Sequence, residues 1–258
     1  MNNARIAESL LWTLLIVSGI SFTGCSHIPV SAASRSDAAT VDFSPAASVS
    51  RTESIRIAEA YRTHRWRPAS HNAFSGIDAT GVHVQTPDIA FQPTDPDSRP
   101  GWWVPNDSNT GIPYQWGGFD TPQEFDRKVA AGFYAGDIYT AAKRKALDDA
   151  VSARACGIDC SGFISRCWRL DRSYSTRELA SLCQPLPDFA SLKQGDLVNK
   201  TNAHALLFVR FLDAEKTRFL AYETGSPPTW KVLKHPIQVD YVKGLGYLPY
   251  RYHHIRED

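Results

Sequence analysis

The heptapeptide Gly157-Ile158-Asp159-Cys160-Ser161-Gly162-Phe163 constrains this chain most, because it sets a cysteine where a helix should begin. Phe163, Ile164, Cys167 and Trp168 follow at i, i+1, i+4 and i+5, a spacing that makes one apolar helical face. Asp159 suits the N-cap, its carboxylate free to accept from the amides of the first turn. Cys160 then falls in that turn, where the positive end of the helix dipole favours an anion, the nucleophilic form of a cysteine. A buried structural cysteine fits the heptapeptide equally well, so the rest of the chain must decide.

A nucleophilic cysteine needs a base nearby in space. Of eight histidines, His204 is the best placed, because His204 to Leu212 is rich in branched and aromatic residues and reads as a strand. Gln194 to Val198 reads as a turn feeding a shorter strand before it. Asp213 to Lys216 makes a polar turn, and Arg218 to Glu223 returns as a second long strand. A base also needs a group to fix its tautomer, and Tyr222 and Glu223 on the return strand face opposite sides. Glu223 is the better candidate, since a carboxylate stabilises an imidazolium; a solvated glutamate at a strand end is the alternative.

Four blocks, taken in order, resemble the NlpC-type cell-wall endopeptidases, a family of papain-like cysteine peptidases. They are Gly111 to Gly118 (Gly-Ile-Pro-Tyr-Gln-Trp-Gly-Gly), Asp159 to Phe163, Gly195-Asp196-Leu197-Val198, and His204 leading its strand. Tyr174 to Leu179 resembles the family's Thr-Ser-Arg segment, and Ser175 and Glu178 have capping-box spacing. The resemblance runs from about Gly111 to about Tyr252. It implies Cys160 as nucleophile, His204 as general base, Glu223 as third polar residue, and Tyr114, Asp159 and Ser161 as neighbours holding the amino end of a short peptide. The implied reaction is hydrolysis of a peptide amide in bacterial peptidoglycan, through a thioester on Cys160 and with no cofactor or metal. The backbone amide of Cys160 is a candidate oxyanion donor. A silent peptidoglycan-binding module on the same fold and an acyl- or amide-transferring enzyme remain alternatives.

The chain departs from the family in three ways. A long insert, about 121–155, separates Gly118 from the cysteine; Phe125, Val129, Phe133 and Ala141 to Leu147 within it read as one or two helices. The hairpin from His204 to Glu223 is longer than usual. Glutamate stands where a histidine or amide is the common third residue.

Leu10 to Ile20 is an apolar run too short for a stable membrane span and fits the core of a signal peptide ending near residue 24. Phe22-Thr23-Gly24-Cys25 resembles a bacterial lipoprotein box, implying a lipid anchor on Cys25 and a place at the outer membrane or in the periplasm. Simple secretion and an uncleaved anchor are the other readings. Residues 25–51 are rich in Ala, Ser and Thr and are expected to form a flexible tether. Residues 52–110 read as a loop-rich extension, opened by a helix with Ile55, Ile57, Ala58 and Tyr61 on one side; Trp102-Trp103 within it would be either core or cleft.

A net charge of +1 and the lack of a basic cluster interleaved with aromatics give no sign of nucleic acid binding. Besides Cys25 the chain carries Cys156, Cys160, Cys167 and Cys183, an even count that permits disulfides such as Cys156–Cys183 or Cys167–Cys183. Zinc held by Cys156 and Cys160 with His253-His254 lacks a second tight ligand pair. The expected architecture is α+β: the Cys160 helix packed on an antiparallel sheet of about five or six strands, in a monomeric domain over 111–258.

Overall fold

The computed structural model describes residues 40–94, 98–225 and 229–258. Thr40–Asp258 forms one compact unit. Its helices are α1 (Arg51–Thr63), α2 (Pro122–Ala130), α3 (Ala141–Ala146), α4 (Cys160–Cys167), α5 (Thr176–Ser181) and α6 (Val239–Gly244). The main sheet contains β1 (Cys183–Pro185), β2 (Leu197–Lys200), β3 (His204–Phe211), β4 (Arg218–Gly225), β5 (Lys231–Gln238) and β6 (Leu248–Tyr252). These six strands lie in the order β5-β4-β3-β2-β6-β1 and every neighbouring pair is antiparallel. The fold is therefore α+β.

Alternation along the strands gives the sheet two apolar faces. Leu197, Ala205, Leu207, Tyr222 and Val232 pack with Phe163, Ile164, Cys167 and Trp168 of the α4 segment and with Ile57, Ala58 and Tyr61 of α1. The expected apolar face of the cysteine helix is thus its buried face. Val198, Leu206, Phe208, Phe219, Ala221 and Ile237 form the second core with Val239 and Val242 of α6. Burying chains of this size stabilises by about 1.5–3 kcal/mol each, so both faces are strongly committed and a one-residue slip would exchange them.

Several expectations change at the ends of elements. The return strand runs two residues past Glu223, to Gly225. β6 lies inside the sheet, between β2 and β1. The expected tether ends earlier than composition suggests, because residues 40–51 contain a few large side chains that find places in the body. Phe43 sits edge-on to Tyr61 at 5.6 Å, Val49 is buried and pairs with Ile255, and Arg169 holds Asp42 and the Ser44 carbonyl. Residues 1–39, including Cys25 and the expected signal peptide, lie outside the described residues.

Asp196, in the third motif block, is structural. Fully buried, it accepts from Arg51 Nη1 at 2.9 Å, Arg251 Nη2 at 2.7 Å and the Lys193 amide at 2.8 Å. It ties α1 and β6 to the turn that starts β2. Trp103 is buried and donates to the Ala135 carbonyl, while Trp102 donates to that of Trp230; both serve packing. Cys156, Cys160, Cys167 and Cys183 are all free thiols, so neither of the two permitted pairings, Cys156–Cys183 or Cys167–Cys183, is formed. Cys167 and Cys183 are small residues of the first core.

Candidate active site

The first two motif blocks interlock. Asp159 is the N-cap of α4: its Oδ1 accepts from the Gly162 amide at 2.6 Å and from the Ser161 hydroxyl at 3.0 Å. Its own amide donates to the Gly118 carbonyl at 3.0 Å. A Cβ at position 162 would lie 2.3 Å from that carbonyl oxygen, so glycine is what allows the Trp116-Gly117-Gly118 turn to sit on the first turn of α4. This contact fixes Cys160 at the helix start. Cys160 is partly exposed, and the other three described cysteines are buried.

His204 opens β3, and its side chain is 21% exposed. Leu207 pairs with Tyr222, so alternation puts His204 and Glu223 together on the opposite side of the sheet. His204 Nε2 meets Glu223 Oε2 at 2.5 Å. Nδ1 is then the ring nitrogen left for another partner, and Cys160, which lines the same cleft, is one of the groups that raise the ring's proton affinity. The other carboxylate oxygen, Oε1, meets Nε2 of His235 on β5. Glu223 is 8% exposed and engages both imidazoles.

The electrostatics follow from these contacts. Burial opposes a charge on His204, but the hydrogen bonds and charges of Cys160 and Glu223 outweigh it and raise its pKa well above the usual 6.5. Burial likewise opposes charge on Glu223, yet hydrogen bonds from His204 and His235 hold it well below 4.5. A protonated His204 imidazole held by an ionised Glu223 carboxylate is the state these contacts favour.

Cys160, His204, Glu223, Tyr114, Asp159 and Ser161 all line one cleft of about 1230 Å³. Tyr114 is buried, and its ring lies with that of His204 around Gly225. Burial keeps its phenol protonated, so it can donate a hydrogen bond. Asp159 uses its carboxylate on α4, and burial raises its proton affinity. Cys160 is the first residue of α4, so its amide is among the donors that the helix itself leaves without a partner. A smaller hollow of about 660 Å³ beside Arg169 and Tyr252 contains no paired nucleophile and base.

A thiol whose proton passes to an adjacent imidazole, itself held by a carboxylate, can attack a carbonyl and then protonate the leaving group. His235 and Arg144 also belong to this cleft and escaped the sequence reading. The only strand signal around His235 was the branched residues Val232, Leu233 and Ile237, interrupted by Pro236. The chain matches no family model, no curated protein and no solved structure.

Proposed function

We propose that this protein is a cysteine peptidase of the NlpC type, with a papain-like fold, hydrolysing amide bonds in the stem peptides of bacterial peptidoglycan. The observation that carries the proposal is the Cys160–His204–Glu223 arrangement at a helix start inside a large cleft. The peptidoglycan assignment draws on the four ordered motif blocks. Cys160 attacks the scissile carbonyl, and its amide steadies the oxyanion. Imidazolium His204 gives its proton to the departing amine as the C–N bond breaks. His204 then takes a proton from water, whose hydroxide attacks the thioester; the C–S bond breaks, and the departing Cys160 sulfur recovers its proton from His204. Tyr114 and Ser161 bind the amino end of the peptide, and Cys25 anchors the protein in the cell envelope.

Labelling of the full chain with iodoacetamide, read by peptide mass spectrometry, tests the reactive pair. Cys160 should label at least tenfold faster in the wild type than in His204→Ala, an effect of the size expected of a lost general base. Slow labelling of Cys160, equal in the two proteins, contradicts the proposal and favours a silent binding module.

A further inference from the structure

The insert between the Gly118 turn and Cys160 presents a cationic side chain to the reacting groups. Lys143 on α3 is buried against Asp137, while the peptide groups of Asp137 bond to the Tyr114 carbonyl and the Trp116 amide. The short helix is therefore pinned to the same loop that holds Tyr114. Its next residue, Arg144, lines the Cys160 cleft. The guanidinium lies over the Tyr139 ring at 5.1 Å and donates through Nη2 to the Ala203 carbonyl at 3.1 Å, one residue before His204. Among the described residues Arg144 forms no ion pair, and its Nε is shut away from solvent with no acceptor.

A buried donor without an acceptor calls for an explanation, and the Nε–Nη edge of a guanidinium matches a planar carboxylate through two parallel N–H bonds. Two features make that anion a ligand. Arg144 faces the cleft where a substrate would lie, and the nearby Glu223 carboxylate is taken up by two histidines. Arg177 of α5, bonded to Asn202 at 2.9 Å, adds a second guanidinium beside the same turn. The carboxylates Asp148 and Glu178 also line the cleft, and Glu178 is paired with Arg172 at 2.8 Å.

We infer that Arg144 is a specificity residue that binds a free carboxylate of the substrate, so that the cleft selects peptides carrying a negative charge close to the attacked bond. A small rotation of the guanidinium exposes its Nε–Nη edge to the arriving carboxylate, which supplies the missing acceptor. The inference rests on the proposed thiol chemistry at Cys160 and adds the charge of what that thiol attacks.

Two alkylating reagents of the same shape provide the test: the α-amides of N-iodoacetyl-glutamate and N-iodoacetyl-glutamine, applied to the full chain and to Arg144→Gln and Arg144→Lys. The wild type should prefer the glutamate reagent. In Arg144→Gln that preference should fall about fivefold, the worth of one partly exposed charge contact, while Arg144→Lys keeps part of it. If Arg144 only supports the turn before His204, both reagents slow together and the ratio is unchanged, which overturns the inference alone. If both reagents are slow on the wild type and equally slow on His204→Ala, the thiol chemistry itself fails and the inference falls with it.

Discussion

Two imidazoles share the carboxylate of Glu223, one on each oxygen. A carboxylate held in this way has little freedom to rotate, so it fixes the plane of the His204 ring as well as its charge. Glu223→Gln keeps the shape but loses the anion, and kcat/KM should fall roughly 100-fold or more, as when a triad carboxylate becomes an amide. The alkaline limb of the pH–rate profile should move to lower pH, because the anion that raises the His204 pKa is gone. An unmoved limb would show that Glu223 does not tune the imidazole. The same groups govern stability. Glu223 has a lowered folded pKa, so its contribution is present above 4.5 and is lost as pH falls; the stability gap between wild type and Glu223→Gln should shrink in acid. His204 has a raised folded pKa, so its contribution is present below 6.5 and fades as pH climbs past that value. His235→Ala should cost about tenfold in kcat/KM, the usual scale for a partner that orients a reacting group through another. Rescue by His235→Gln, which can still donate to Glu223, separates orientation from charge.

At the scale of elements, the cysteine helix and the central hairpin were legible because their signals are local. An N-cap aspartate, an apolar i, i+4 face and period-two alternation each lie within a dozen residues, and α4, β3 and β4 obey them. β5 was hidden by Pro236, which weakens a strand reading; it is tolerated because β5 is an edge of the sheet. With that strand went His235. The insert's helices were visible, but their position was not. It depends on contacts distant in sequence, such as Arg144 with the Ala203 carbonyl and the Asn72 amide, which donates to the Val129 and Phe133 carbonyls. The contact between the Gly118 turn and α4 can be tested directly. Gly162→Ala sets a Cβ against the Gly118 oxygen, a backbone atom that cannot swing aside. It should destabilise by about 2 kcal/mol in urea unfolding, a typical cost of overpacking, and slow Cys160 alkylation. A loss within about 0.5 kcal/mol, the range of ordinary surface changes, would contradict this account of the glycine.

Across the whole molecule, the ends of the described chain converge on the turn before β2. Arg51, Arg251 and Asp196 meet there, and Val49 pairs with Ile255. Composition marked residues 40–51 as tether because it averages over windows, whereas Phe43 and Val49 act one at a time. Asp196→Ala would leave Arg251 without a carboxylate and Arg51 with only the exposed Glu257 at 3.1 Å, and should cost about 3 kcal/mol or more in stability, with Cys160 alkylation in the folded protein unchanged. A cost below about 1 kcal/mol would show that the network is weak. None of this organisation decides what the cleft accepts. That question is answered by incubating purified peptidoglycan with the full chain and, alongside, with Cys160→Ala, and identifying the released fragments by mass spectrometry. Cleaved stem peptides from the wild type and none from the variant are the predicted result; equal fragments from both, or none from either, would contradict a Cys160 peptidase of the cell wall.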